Sequence, residues 1–367
     1  EIVKNDDGAK VFDLFIVHTN DLLGNIYSEN GGLGLARLST ALKAGRAITD
    51  NWLLLNSGDV GEIPAEAAML AAAVIDELGY DAYTPQALQL ATGITGTQKA
   101  LALSVNALDE DGYLVMQPYQ VYDFNGFKVG VVGLVAPKDI QGVSFTSDLV
   151  LDNAQYAVDL AKGLVDYLVV LSDLGDGQLS SSLVASSVDG IDLIVDGNGS
   201  AMAKTVNNTL IVRADQMLRS IGGVQVSVSD GKVTDVFPMI LPAADVLDPA
   251  SSALAAMYEP FANAMGYTLN VVVPEDEAIV AKIGATPEKV VEPVVAPVVV
   301  AEKPAPVVEP VAEPVVEPVV AVEPVEVGLP YGVEEIVKND DGAKVFDLFI
   351  VHTNDLLGNI YSENGGL

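Results

Sequence analysis

The sequence predicts an α/β protein followed by an extended arm. Between about residues 11 and 273, apolar runs of strand length alternate with longer segments of helical spacing, a pattern typical of α/β folds. The apolar runs are followed by Gly, Asp or Asn, which indicates strands buried on both faces with functional loops at their carboxyl ends. A tract rich in valine and proline comes next, and the first residues of the chain then recur.

Three segments follow from these observations. We predict a folded domain at residues 1–276, a Val/Pro/Glu-rich extended arm or linker at residues 277–334, and the first strand of a following unit at residues 335–367. A domain of this length can bury a large apolar core.

The predicted strands follow one another along the domain, with helices between several of them. The strands lie at residues 11–18, 51–59, 126–135, 166–173, 190–197, 209–216 and 222–240. The last of these contains Ser229-Asp230-Gly231, a turn sequence that predicts a β-hairpin. Helical spacing predicts helices at residues 64–79 and 154–165, and Asp248 is the predicted N-cap of a helix that runs through Ala264.

Composition excludes several classes of function. Lys and Arg total 18 against 51 Asp and Glu, a net charge of −33, and such an acidic surface repels nucleic acid. The chain has no cysteine, which excludes disulfides and thiolate chemistry and fits an exported protein. No apolar run approaches the ~20 residues needed to cross a bilayer. We therefore expect no nucleic-acid partner, no membrane span, and an extracellular, cell-surface or periplasmic location.

The predicted arm is built on the pattern Glu-Pro-Val-Val. Eight prolines lie between Pro293 and Pro324, and because proline presets φ and lacks a backbone donor, this stretch is predicted to be extended or polyproline-like. One interpretation is a semi-rigid spacer. The other is an arm that lies along the surface of a partner, which we favour because disordered spacers are normally poor in apolar residues.

Residues 1–33 recur without a single change at residues 335–367, 334 positions later. The copy of the first strand has the same apolar pattern, and each large side chain gains ~1.5–3 kcal/mol from burial. The predicted assembly residues of the copy are Phe346, Leu348, Phe349, Ile350 and Val351. The copy must therefore begin another domain or insert into another molecule. In either case the partner is another copy of this protein, in a head-to-tail homopolymer.

Several segments of the domain also occur, in the same order, in 5′-nucleotidase-like metallophosphatases, the calcineurin-like phosphoesterases. Among them are FDLFIVHTNDLLGNI at residues 12–26, LLLNSGDVG at 53–61, VDYLVVLSDLG at 165–175 and IDLIVDGNGS at 191–200. Residues from about 11 to 273 therefore resemble the catalytic domain of that family, in degenerate form and without its C-terminal nucleotide-binding domain. The resemblance implies a four-layer α/β sandwich of the metallophosphatase type, with a two-metal centre at the strand ends.

Most of the metal ligands that the resemblance implies are replaced in this chain. The family uses Asp-x-His, Gly-Asp, Gly-Asn-His-Glu, a histidine after the fourth strand, and Gly-His-x-His. Other residue types stand at Leu23, Ala87, Leu88 and Ser200. The vestigial ligand positions are Asp21, Asp59, Asp173 and Asn198. Since metal binding depends on the number and geometry of ligands, we predict a pseudoenzyme with no catalytic residue and no resident cofactor.

Two interpretations of the vestigial positions remain. They could hold a Ca²⁺ or Mg²⁺ ion, with help from Asn20, or their side chains could tie loops together by accepting backbone N–H bonds. We favour the second interpretation because few donors for a hard cation remain. His18, the only histidine in one repeat period, precedes the metal loop and is predicted to be a packed, hydrogen-bonded residue at the end of a strand.

Three functions from different classes fit these observations. The first is a non-catalytic structural protein, a pseudoenzyme unit of a filament or of a tandem-repeat extracellular fibre. The second is a binding module that uses the former catalytic cleft. The third is a residual metal-dependent phosphohydrolase acting on nucleotides. The identical repeat and the Val/Pro arm favour the structural protein, because neither alternative accounts for them.

Overall fold

The computed structural model describes residues 3–4, 10–47, 49–58, 74–85, 90, 97, 99–137, 139–145, 150–247, 273–283, 337–338 and 344–345. The chain divides into two compact units, Glu1–Glu288 and Lys289–Leu367. The predicted sites at Asp59, Ala87 and Leu88 lie outside the described residues. So do the arm between Pro293 and Pro324, the helix predicted from Asp248, and the five predicted assembly residues of the copy.

The described strands and helices are numbered in chain order. The strands are β1 (Val3–Lys4), β2 (Lys10–Asn20), β3 (Trp52–Ser57), β4 (Ala82–Tyr83), β5 (Leu101–Ala102), β6 (Ala107–Leu108), β7 (Tyr119–Phe124), β8 (Phe127–Leu134), β9 (Ser144–Phe145), β10 (Tyr167–Ser172), β11 (Leu193–Asp196), β12 (Met202–Val206), β13 (Thr209–Arg213), β14 (Ser220–Ser229), β15 (Lys232–Pro242), β16 (Val337–Lys338) and β17 (Lys344–Val345). The helices are α1 (Leu35–Arg46), α2 (Val150–Lys162), α3 (Ser181–Ser187), α4 (Ala243–Leu247) and α5 (Glu277–Ile283).

Two large mixed sheets form the first unit. The first sheet has the order β15-β14-β2-β3-β4-β5, with β1 paired to β2, and the second has the order β12-β13-β11-β10-β8-β7. Strands β2 to β5 of the first sheet run parallel, as do β8, β10, β11 and β13 of the second. The carboxyl ends of each parallel set therefore lie at one edge of their sheet, where the sequence places its candidate site.

The sheets pack face to face, with helices on their outer sides. Leu14 and Ile16 of β2 contribute to the core between the sheets, together with Val169 of β10. Helix α1 covers the outer face of the first sheet, while α2 and α3 cover the outer face of the second. The order of layers is helix, sheet, sheet, helix, which confirms the predicted four-layer α/β sandwich.

Local sequence signals account for several element boundaries. The β14–β15 hairpin turns at Asp230 and Gly231, whose φ values of 48° and 72° suit a two-residue turn, so the predicted hairpin is confirmed. Helix α2 already includes Val150, four residues before the predicted start at residue 154, and Val150 and Ala154 both belong to its buried stripe. Residues 74–78 are helical, within the helix predicted at residues 64–79.

The folded domain continues past the predicted boundary at residue 276. Residues 277–283, assigned by the sequence to the extended arm, form helix α5 instead. Ile279 of α5 is fully buried, and Lys282 pairs with Glu77 at 2.9 Å. Just before the helix, Asp276 accepts a hydrogen bond from Ser39 of α1 at 2.5 Å. This short apolar helix is held by long-range contacts that the composition of the arm does not reveal.

The described strands of the second unit repeat a local feature of the first. In the first copy Val3 pairs with Val11 and Lys4 with Lys10. In the second copy the residues 334 positions later, Val337 and Lys338 of β16, pair with Val345 and Lys344 of β17 in the same antiparallel register. The identical sequence therefore forms the same local hairpin in both units.

Among the described helices, none combines the length and the apolar character needed to cross a lipid bilayer.

Candidate functional site

The ends of the central strands of both sheets meet at one place. The Ser57 hydroxyl at the end of β3 donates to the carbonyl of Ser172 at the end of β10. The backbone N–H of Gly197, which follows β11, donates to the same carbonyl at 2.8 Å. At the next strand of the first sheet, Gly58 N–H donates to the Thr84 hydroxyl at 2.7 Å. These bonds bring the predicted site loops together, as expected for parallel strands.

Asp21 lies at the centre of this meeting point and accepts several N–H bonds. Its Oδ2 accepts from the backbone N–H of Asn198 at 2.5 Å, from the Asn20 amide at 3.0 Å and from the Gln216 amide at 3.4 Å. The side chain is buried. Asp21 thus ties together loops that are 177 residues apart in sequence.

Two of the other vestigial positions, Asn198 and Asp173, are among the described residues. Asn198 contributes its backbone N–H to Asp21, while its side chain is exposed and its φ is 58°. Asp173 is buried after β10, and its loop contacts that of Asn198, since a Cβ added to Gly175 would lie 2.6 Å from the Asn198 carbonyl oxygen. Leu23 is 40% exposed, and Ser200 is exposed.

The described residues of the site do not by themselves fit the two-metal centre of the phosphatase fold. Within the described residues, no group of three or more His, Cys, Asp or Glu side chains is arranged to hold a metal ion. Amide donors already converge on Asp21 Oδ2, whereas a cation at that position requires further oxygen or imidazole ligands. The described part of the site is therefore a set of hydrogen-bonded loops.

A buried ion pair next to this site was missed by the sequence analysis. Arg213, 2% exposed, donates to Asp196, 0% exposed, through both Nε and Nη2. Its Nη1 also pairs with Asp176 at 2.8 Å. The second oxygen of Asp196 accepts from Ser181 Oγ at 2.6 Å and from Gly175 N–H at 3.1 Å. The sequence signal for this pair is Arg213 itself, a charged residue at the end of the apolar run TLIVR at residues 209–213.

The loop after β11 fits closely around this guanidinium. A Cβ added to Gly199 would lie 2.0 Å from Arg213 Nη1, so the loop can pass only because residue 199 has no side chain. Burial raises the pKa of the Asp196 carboxyl, and the hydrogen bonds from Ser181 and Arg213 oppose that shift. The pair therefore packs directly against the loop whose Asn198 N–H binds Asp21.

His18 is packed as predicted, but the predicted hydrogen bond is not found. The ring is fully buried and lies against the backbone of Gly222 in β14, where an added Cβ would lie 2.1 Å from His18 Cε1. Among the described residues, neither ring nitrogen has a hydrogen-bond partner. Burial lowers the pKa of His18 to about 3, so the imidazole is neutral at pH 7.

This buried histidine predicts a loss of stability in mild acid. In the unfolded chain the pKa of His18 returns to about 6.5, so below that pH the unfolded state binds a proton that the folded state excludes until about pH 3. The contribution of the neutral His18 ring to the free energy of unfolding is fully present above pH 6.5. It is lost as the pH falls, at ~1.4 kcal/mol per pH unit. Between pH 6.5 and 5 we expect the free energy of unfolding to fall by about 2 kcal/mol.

Denaturant titrations of the full chain at several pH values measure this dependence. His18→Leu is expected to remove most of the slope between pH 6.5 and 5, while the matched variant His352→Leu is expected to keep it in the first domain. Equal slopes in the wild type and in His18→Leu would contradict the prediction.

Comparison with known proteins supports the fold. No protein-family model and no curated protein sequence matches the chain. Among solved structures, calcineurin-like phosphoesterase YfkN from Bacillus subtilis matches with a TM-score of 0.55 and 19% identity over 74% of this chain and 96% of that chain. The 5′-nucleotidase precursor from Thermus thermophilus matches with a TM-score of 0.54 and 24% identity over 69% of this chain and 60% of that chain.

NAD nucleotidase from Haemophilus influenzae matches with a TM-score of 0.52 and 19% identity over 64% of this chain and 57% of that chain. The chain thus spans little more than half the length of that nucleotidase. The domain has the fold of calcineurin-like phosphoesterases and 5′-nucleotidases, which confirms at the level of the fold the resemblance seen in the sequence.

Proposed function

We propose that the chain is a non-catalytic structural protein, a pseudoenzyme unit of a head-to-tail extracellular or periplasmic fibre. The observation that carries this proposal is the unchanged recurrence of residues 1–33 at residues 335–367. The absence of cysteine and the strongly acidic surface are consistent with an exported, soluble repeat.

The position of β2 explains why its copy requires a folded partner. β2 is a central strand, with Val11–His18 paired to β14 and Phe15–Asn20 paired to β3. Leu14 and Ile16 are fully buried. Identical sequences have identical requirements for hydrogen bonds and apolar cover. The copy at residues 345–352 therefore needs the same neighbours, and these must come from another copy of the domain.

Energetics favour a covalent tandem array over insertion between separate molecules. In the described unit, β2 already occupies the position between β14 and β3. If the copy from another molecule replaced β2, the new contacts would be identical to those lost, so no contact energy would be gained. Association of two molecules also costs translational and rotational freedom. We therefore favour an array in which each copy begins its own domain within one polypeptide.

Two measurements on the native protein test this proposal. The mass of the denatured protein is expected to be many times that of one 334-residue period, and a mass near one period would exclude the tandem array. Phosphohydrolase activity toward nucleotides is expected to be absent with Mg²⁺, Mn²⁺, Zn²⁺ or Co²⁺, because most metal-ligand positions are replaced. Metal-dependent turnover that disappears in Asp59→Ala would overturn the non-catalytic assignment.

A further inference from the structure

A groove lies at the end of the domain opposite to Asp21, beside the β12–β13 and β14–β15 hairpins. Its volume is about 540 Å³, within the range of sites for small molecules. One wall is apolar and consists of Leu210, Val233 and Val236, which also pack against the core between the sheets. The remaining lining is mostly polar: Asp166, Tyr167 and Asp192 lie at the amino ends of the parallel strands β10 and β11, and the other residues belong to the two hairpins.

Two carboxylates in the groove each keep one oxygen available. Asp166 Oδ2 accepts from Lys128 N–H at 2.8 Å, and Asp192 Oδ2 accepts from Leu168 N–H at 2.7 Å. Within the described residues, Oδ1 of neither carboxylate accepts a hydrogen bond. The one basic residue of the lining, Lys232, forms no ion pair within 4 Å in the described part of the chain, so the lining is negative overall.

Tyr167 is the second, independent feature of the groove. Its side chain is 3% exposed and lines the groove, yet its hydroxyl makes no hydrogen bond to any described residue. The hydroxyl oxygen itself is not fully enclosed, so it can form a hydrogen bond with a ligand in the groove. Burial raises the pKa of Tyr167, and the charge of Asp192 raises it further. Burial also raises the pKa of Asp192. A cation bound between these two groups would lower both pKa values again.

We propose that this groove binds an alkylammonium group, the chemistry shared by small primary amines and the lysine side chains of proteins. The ammonium donates to the available oxygens of Asp192 and Asp166 and to the Tyr167 hydroxyl. The methylene chain lies along the apolar wall. Charge-assisted hydrogen bonds supply the orientation, and apolar burial supplies part of the affinity. This site is independent of the proposed fibre function.

Ligand-observed NMR of the full chain with n-butylammonium chloride tests the proposal at pH 7. Saturable binding is expected, with much weaker binding of the neutral analogue n-butanol. Nα-acetyl-lysine methylamide is the parallel probe for a lysine side chain of a protein. If it also binds, the groove accepts lysine side chains; if only n-butylammonium binds, the natural ligand is a free amine. We expect Asp192→Asn to weaken n-butylammonium binding about tenfold and Tyr167→Phe about fivefold.

Asp81→Asn is the matched control. Asp81 ties two strands of the first sheet in the same way, accepting from Leu54 N–H at 2.8 Å, but it lies outside the groove. The Asp81→Asn variant is expected to bind n-butylammonium with unchanged affinity. The proposal is overturned by equal binding of n-butanol and n-butylammonium, or by equal losses in Asp81→Asn and Asp192→Asn. If Asp192→Asn does not fold, Tyr167→Phe decides, and an unchanged affinity in that variant also overturns it.

Discussion

In an array within one polypeptide, the unit that begins at residue 335 should be missing from the regular spacing when the second copy of the first strand is charged by Phe349→Asp together with Ile350→Asp. The corresponding residues of the first copy show why. Ile16 is fully buried between the sheets, and Phe15 packs on the outer core of the first sheet. A carboxylate at the position of Ile16 would be removed from water without a cation to pair with, which costs several kcal/mol, and one at the partly buried position of Phe15 would lose apolar packing. The unit that the second copy begins should therefore fail to fold.

The first domain of this variant is expected to remain folded, because its own β2 is unchanged. Electron microscopy measures array length and spacing, and hydrogen exchange on β2 and β14 measures the integrity of the first domain. The matched variant Phe15→Asp with Ile16→Asp should instead unfold the first domain. If the Phe349/Ile350 variant forms arrays of regular spacing with no unit missing, the head-to-tail mechanism is wrong.

Arg213→Met should destabilise the domain more than any single change of a surface charge. The variant leaves Asp196, which is 0% exposed, buried without its cation, and removal of one partner of a buried pair typically costs ~3–5 kcal/mol. Part of this loss should be recovered in Arg213→Met with Asp196→Asn, because an asparagine oxygen can still accept from Ser181 and Gly175 without carrying a charge.

Chemical denaturation of the full chain measures these differences. Arg219→Met is the matched control, since Arg219 is exposed and donates to the Asn30 carbonyl at 3.2 Å; its cost is expected to be below about 1 kcal/mol. A loss in Arg213→Met no larger than that in Arg219→Met would show that the buried pair does not hold the loops of the site.

The loops around Asp21 gain their order from contacts that are distant in sequence. Asp21 is held by Asn198, and Arg213 is held by Asp176 and Asp196. Such networks rigidify a site. In this domain the phosphatase fold therefore keeps its strand ends together by hydrogen bonds and a buried ion pair.

The sequence by itself determined the α/β alternation and the β14–β15 hairpin. Apolar periodicity and turn residues are local properties, so they can be read without knowing the order of the strands. Residue identity alone shows that one repeat period contains a single histidine, and that the same 33 residues occur twice.

The tertiary structure decided which distant residues meet. The Asp21–Asn198 bond, the burial of Arg213 against Asp196, the burial of the His18 ring and the inclusion of α5 in the domain all depend on the order of strands in the two sheets. Because that order is set by the packing of whole elements around one core, no local pattern in the sequence specifies it.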